Sequence, residues 1–281
     1  MQQSGRGLAT ILVGLFLCGA FRAEAATPAE DAIARGKALV VAGDCAGCHT
    51  ADPAKPFAGG KRIDSRFGGI YSANLTPDRE TGIRGWRDED FLQAMRHGIA
   101  PDGSRYYPAF PYPYFSKLIR DDILAIGAYL GTLEPVRNKV PPPDLRFPFN
   151  FRVGMRLWNW LYLQPGILMP EQSKGGEWNR GRYLVEGLGH CGGCHTPKNF
   201  LGADKAGQSL AGNGAAPRLD GGDGSAMKSW SVDEIIDYLR KGSNAKGKAG
   251  PVMSPIVTNS TSQMSEKDVR AMAVYLKSLA P

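Results

Sequence analysis

Two short stretches hold the residues able to do chemistry: "DCAGCHT" at 44–50 and "HCGGCHT" at 190–196. Each sets two thiols three positions apart with an imidazole directly behind them, as Cys45, Cys48, His49 and as Cys191, Cys194, His195. Such a set can bind zinc, exchange disulfides or carry a covalently attached haem. Zinc wants four ligands, and two cysteine pairs could supply them. Each pair, however, has its own histidine and sits at the matching place of a repeat, a symmetry that one shared site would ignore. Thioredoxin-type exchange goes with a βαβ pattern, and none surrounds either pair. A disulfide within a pair would leave the histidine unexplained. C-x-x-C-H is the haem-attachment pattern. The two thiols add across the two vinyl groups of one haem, and the adjacent histidine offers its ring nitrogen to the iron from below. The expectation is two covalently bound haem c groups, held by Cys45, Cys48, Cys191 and Cys194, with His49 and His195 as axial ligands.

A thioether or second imidazole on the other face closes such an iron to outside ligands and tunes its potential. In small domains of this kind that ligand comes from a loop before the last helix. In the second copy the loop reads "GKAGPVMSPIV", which makes Met253 the expected ligand; Met264, beside the last helix, is the alternative and reads more plainly as core. The first copy's loop, "PDGSRYYPAFPYPYF", has neither Met nor His, and Phe110 stands about where a ligand is expected. Met95, His97, Met155, Met169 or a vacant position stay open. A polar helix end for His97 and packing for the methionines are the plainer roles.

The elements that must position these groups repeat as well. "ARGKALVVAGDCAGCHT" (34–50) matches "NRGRYLVEGLGHCGGCHT" (179–196), "WRDEDFLQAMRHG" matches "WSVDEIIDYLRKG", and "RDDILAIGAYLGTLEP" matches "EKDVRAMAVYLKSLAP". Each block reads as a helix. Ile123, Ile126 and Leu130, like Val269, Met272 and Leu276, recur at helical spacing. Acidic residues open the middle block, and Gly98 or Gly242 closes it. Gly, Pro, Asn and Asp fill the loops between, and no strand-like run stands out. The expected fold is mainly α: two tandem class I cytochrome c-like domains with long loops, at 26–137 and 176–281, joined by an aromatic-rich linker at 138–175. The linker sequence "MRLWNWLYL" predicts a short helix presenting Trp158, Trp160 and Tyr162. It either packs between the domains or forms a membrane-interface or partner-docking patch, since Trp and Tyr favour the headgroup region.

The first 25 residues read as a secretory signal: Arg6, an apolar run, then "AEA" with small residues before a cleavage point at Ala25. Cys18 lies inside it, after Leu17, which is too large for a lipoprotein signal. Removing Arg6, Arg22 and Glu24 lowers the formal charge from +7 to +6. That balance can steer an acidic partner, but it is too weak and dispersed for nucleic acid.

With "FGGIYSANLTPDRETGIRGW", "MRHGIAPDGSRYYPAFPY", "FPFNFR" and "EWNRGRYLVEGLGHCGGCHTPKN", nearly the whole mature chain resembles the dihaem and trihaem c-type cytochrome subunits of bacterial membrane-bound dehydrogenases for alcohols, aldehydes and gluconate. The resemblance implies a periplasmic electron carrier rather than an enzyme, at the outer face of the cytoplasmic membrane. Its donor would be a periplasmic dehydrogenase subunit, and its acceptor a quinone, an oxidase or another cytochrome. The chain looks like two haem domains without the third of the trihaem members. Several of those relatives have Met where Phe110 stands. The competing expectation is a dihaem, peroxidase-like enzyme using an open N-terminal haem iron, although no acid–base pair is evident around that loop.

Overall fold

The computed structural model describes residues 27–279, so the signal-peptide reading of residues 1–25, with Cys18, lies outside the described residues. In chain order the first copy holds α1 (Pro28–Ala42), α2 (Cys45–His49), β1 (Arg62–Ser65), β2 (Gly68–Tyr71), α3 (Asp88–His97), α4 (Tyr112–Phe115) and α5 (Arg120–Leu130). β3 (Asp144–Leu145) and α6 (Gly154–Tyr162) follow. The second copy holds α7 (Gly176–Tyr183), α8 (Gly192–His195), α9 (Ala226–Ser229), α10 (Val232–Lys241), β4 (Ser243–Asn244), β5 (Gly247–Lys248), α11 (Met253–Asn259) and α12 (Glu266–Ser278).

Each copy is built on one crossing of its first and last long helices, α1 on α5 and α7 on α12. α1 starts at a capping box: Glu30 donates its backbone N–H to the Thr27 hydroxyl, and the Thr27 N–H donates to the Glu30 carboxylate at 2.8 Å. That reciprocal pair satisfies donors left over at a helix start, and Pro28 is pre-set for the first turn. At the crossings sit Gly36 and Gly181. A Cβ there would lie 1.9 Å from the Ala125 carbonyl oxygen and 2.0 Å from that of Ala271. Only glycine lets the helices approach so closely. Beside each crossing a repeat-related ion pair locks the angle: Arg35 with Asp122 at 2.6 Å, and Arg180 with Asp268 at 2.8 Å. α7 continues into a π-helical turn over Leu184–Leu188 before the second cysteine pair.

The apolar core runs continuously through both copies, from Leu39, Ile123 and Ile126 to Leu184, Leu188, Val269 and Met272. Leu188 reaches Gly43, and Leu118 reaches Gly187, across the boundary. Tyr183 donates to Asp122 at 2.6 Å and accepts the Ile119 N–H at 3.1 Å, so the second copy's first helix is tied to the first copy's last.

One expectation is corrected. Strands do occur: β1, β2 and β3 form a small antiparallel sheet, and β4 pairs with β5. They escape sequence reading because they are two to four residues long and lack the alternation that marks a half-buried strand. The pairing of β2 with β3 depends on Gly68, at φ 118°, where a Cβ would meet the Asp144 carbonyl oxygen at 2.3 Å.

The linker helix forms where "MRLWNWLYL" places it. Met155, Trp158 and Asn159 are buried. Trp158 donates to the Leu201 carbonyl at 3.0 Å, and Asn159 accepts the Tyr112 hydroxyl at 2.6 Å while donating to the His97 carbonyl at 3.2 Å. The helix therefore touches both copies. Its other face carries Val153, Leu157, Trp160 and Leu161, all exposed and spaced as one helical stripe.

Candidate haem sites

Both attachment loops are made by the same local devices. α1 ends at Gly43, and Asp44 then takes the left-handed conformation (φ 48°) before α2; His190 (φ 40°) does the same before Cys191. That reversal throws the chain out of the long helix into a one-turn helix that carries both cysteines in the first copy and starts just after Cys191 in the second. Behind each histidine the chain folds back in the same way. The Gly59 N–H donates to the His49 carbonyl, and the Gly212 N–H to that of His195, both at 2.7 Å. The Thr50 and Thr196 hydroxyls accept from the N–H groups of Phe57 and Leu210, both of which are left-handed.

This fold-back aims the imidazoles. His49 Nδ1 lies 2.7 Å from the Ala73 carbonyl oxygen, and His195 Nδ1 lies 2.6 Å from that of Pro217. A carbonyl only accepts, so Nδ1 carries the proton and Nε2 is left with its lone pair, as a metal-ligating histidine requires. Burial also holds both rings below the ordinary imidazole pKa, which favours the neutral form.

The thiols are free, with Cys45 and Cys191 half-buried and Cys48 and Cys194 exposed. Burial pushes Cys45 and Cys191 up to about 12, with Asp44 adding to the shift at Cys45 and Cys194 adding at Cys191. Redox-active cysteines have depressed pKa values, the opposite of the shift at Cys45 and Cys191. Among the described residues no cluster of three or more His, Cys, Asp or Glu could hold a metal ion, which leaves the shared zinc site without support. Two unpaired thiols and an imidazole with a free Nε2 are the donor set that a covalent haem needs, and the residues fit it in both copies.

The loops facing the two sites differ. Met253 begins α11 and is half-buried, packed like Cys45, Phe110 and Cys191 on the core common to both copies. Met264 is buried in that core, and its carbonyl accepts from Arg240 at 3.0 Å. In the first copy Phe110 sits among Tyr106, Tyr112 and Phe115, with ring centroids 5.5, 6.3 and 5.6 Å away. Met95 is buried in α3, and Met155 packs with Tyr112 and Trp158 beneath α6. Met169 is 70% exposed. His97 ends α3 and lines a cleft of about 430 Å³ with Arg105, Arg156 and Trp160.

Each copy reaches the other's attachment loop: α4 packs on the turn that precedes Cys191, and α11 packs on α2. Tyr114, from α4 of the first copy, covers the second loop: a Cβ on Gly192 would lie 2.9 Å from its ring. Its hydroxyl donates to Asp204 at 2.5 Å and accepts from Lys198 at 3.2 Å, while Lys198 also donates to the Gly192 carbonyl. Sequence reading missed Tyr114, because α4 has no partner in the repeat alignment. It also missed the two carbonyls that aim the histidines, since any residue can supply a carbonyl.

Comparison with known proteins agrees with this geometry. The chain is 45% identical over 255 residues to a nicotinate dehydrogenase subunit of Pseudomonas putida, covering 87% of this chain and 21% of that protein. It is 40% identical over 260 residues to a diheme cytochrome c-type protein of Cereibacter sphaeroides, covering 86% and 84%. With the fructose dehydrogenase cytochrome subunit of Gluconobacter japonicus it shares 38% identity over 263 residues, covering 90% and 54%. The chain thus spans only part of the two dehydrogenase subunits. The profile of the family "Cytochrome c" matches twice, over residues 33–134 and 179–280, and each match contains one C-x-x-C-H loop. Attachment loop, aimed imidazole and crossed helices therefore have one explanation in both halves: the chain belongs to the cytochrome c family, and it carries that family's domain in two copies.

Proposed function

We propose that the protein is a periplasmic dihaem cytochrome that carries electrons from a partner dehydrogenase subunit towards the respiratory chain, catalysis residing in the partner. The observation that carries this reading is the interlocking of the two haem-loop regions, with Tyr114 of one copy seated on the cysteine loop of the other and α11 packed on α2. A haem bound at each motif supplies a one-electron iron couple. Cys45, Cys48 and His49 would hold one and Cys191, Cys194 and His195 the other, with Met253 able to supply a thioether to the second iron. The chain's own contribution is rigidity: the Ala73 and Pro217 carbonyls fix the imidazoles, and the continuous core keeps the two sites at one separation while excluding water. The names of the relatives, subunits of nicotinate and fructose dehydrogenases, support a dehydrogenase as the donor.

Membrane association rests on the linker. Most large apolar side chains exposed among the described residues fall between 147 and 169, with Phe147 and Trp160 both 79% exposed. Arg146, Arg152 and Arg156 are interspersed with them, and residues 145–170 include no acidic side chain. Aromatic rings with arginines suit the headgroup layer of an anionic bilayer. No helix among the described residues is long and apolar enough to cross a membrane, so the contact would be along the surface. Gentle purification from the native membrane fraction tests the whole reading. A dehydrogenase subunit in stoichiometric amount and two covalent haems per chain are expected. Fewer than two haems in the denatured protein, or recovery from the soluble fraction without a partner, would count against it.

A further inference from the structure

The repeat fixes which residue of the first copy stands where Met253 stands in the second. α3 and α10 both end on a left-handed glycine, Gly98 and Gly242, and both chains then fold back on themselves. In the first copy the returning residue is Arg105, bridged to Ile99; in the second it is Lys248, paired with Ser243. Counting from Arg105 and Lys248, the same number of residues leads to Pro108 and Pro251, and then to Phe110 and Met253. Structure thus makes Phe110 the counterpart of the expected sulfur ligand, and the benzyl group has no lone pair to offer an iron.

The other candidate donors have other places: the His97 ring lines the cleft with Arg105 and Trp160, Met169 is exposed, and Met95 and Met155 are packed. Met95 takes the α3 position that Leu239 takes in α10, a buried core leucine, so its counterpart role is packing. Met155 belongs to a second cluster with Tyr112, Trp158 and Ala203, on the linker side of the loop. Tyr112 donates its hydroxyl to Asn159, and Tyr114 donates to Asp204. Burial pushes Tyr106 up to about 12, which keeps it a phenol at neutral pH.

We infer that the His49 site holds a five-coordinate haem iron whose far face is capped by Phe110, and that it binds a small neutral diatomic ligand which the Met253 site excludes. This rests on the two-haem reading above. The rings packed around Phe110, those of Tyr106, Tyr112 and Phe115, carry no charge, which favours a neutral molecule, and Phe110 is the side chain that must turn aside to admit one. Open access on one haem and closure on the other follow from axial ligation alone.

Titrating the reduced holoprotein with carbon monoxide tests this. One carbon monoxide per chain with two haems present is expected, together with equal high-spin and low-spin populations in the oxidised protein. Phe110→Met should abolish carbon monoxide binding and convert the high-spin population to low spin. Phe110→Ala should leave the stoichiometry unchanged and speed binding at least several-fold. Met155→Ala should leave both stoichiometry and spin state as in the wild type. A wild-type protein with two haems, both low-spin and neither binding carbon monoxide, would overturn the inference. So would a Met155→Ala variant that alone binds the gas, because it would identify Met155 as the ligand. A chain that carries fewer than two haems would instead overturn the two-haem reading on which the inference rests.

Discussion

The two halves of this molecule are alike in the frame beneath their C-x-x-C-H loops and different in the loops above it. Beneath, they agree almost residue for residue: Gly36 and Gly181 at the helix crossings, Arg35–Asp122 and Arg180–Asp268 beside them, His49 on Ala73 and His195 on Pro217. Above, one copy places Met253 at the start of α11, and the other places Phe110 in a cage of aromatic rings followed by α4, which reaches across to the second copy. The lesson is that attachment and coordination are separable. Attachment depends on helix crossings and backbone carbonyls, which tolerate little change. The opposing loop is long and carries its chemistry in a single side chain, so it can diverge without disturbing the frame.

The comparison is broken most directly at the crossings. Gly36→Ala and Gly181→Ala should each destabilise the holoprotein by at least about 3 kcal/mol, because the new Cβ meets a backbone carbonyl that cannot turn aside. Denaturant titration of the two variants checks this, and a cheap substitution at either site would show that the two frames are not equivalent.

The ion pairs sharpen it. Asp122 is almost fully buried and accepts from both Arg35 and Tyr183, whereas Asp268 is paired with Arg180 alone and is more exposed. Asp122→Ala should therefore cost about 2–3 kcal/mol and Asp268→Ala about 1 kcal/mol. A double-mutant cycle of Asp122→Ala with Tyr183→Phe should return a coupling of about 1 kcal/mol, reporting the tie between the copies; a coupling of zero would leave Tyr183 a bystander.

The smallest effect concerns the residue that precedes each cysteine pair. Asp44 is held at about 6, mainly by burial, with one carboxylate oxygen buried and unpartnered, opposed by the Gly47 N–H and Lys61. Its folded pKa lies above the unfolded value, so the folded state keeps the proton longer. Stability falls as pH rises from about 4 to about 6, and the loss is complete above that window. Asn tolerates the left-handed conformation at this position. Asp44→Asn should match the wild type at pH 4 and be more stable by roughly 1–2 kcal/mol at pH 8, discounted for partial exposure. An unchanged difference across that range would show that Asp44 is solvated. At the second copy His190 takes the place, and burial holds its imidazole below the ordinary value, so stability there falls as pH is lowered, the opposite sign.

Much of this was legible in the residues alone. The C-x-x-C-H pairs named the attachment chemistry, because the spacing of two thiols and an imidazole has few other uses. Three helical blocks in each copy followed from apolar spacing, acidic starts and terminal glycines, and the short helix in the linker followed from "MRLWNWLYL". The strands were not legible, since β1 to β5 are short and held by Gly68 and by hairpin geometry rather than by alternation. Nor was the two-sided nature of α6, where Trp158 packs on Leu201 while Trp160 faces outward; both are tryptophans two positions apart, and only their neighbours distinguish them.

The amino-acid sequence by itself determined what each loop can bond to, because thiol, imidazole and thioether chemistry resides in single side chains at fixed spacing. Only the tertiary structure decided how those groups are used. It supplied the carbonyls of Ala73 and Pro217 that choose the imidazole nitrogen, the hairpin register that makes Phe110 the counterpart of Met253, and the contact of Tyr114 with the second cysteine loop. The reason is physical: orientation and proximity are made by backbone groups and by residues far apart in the chain, and neither leaves a local signature.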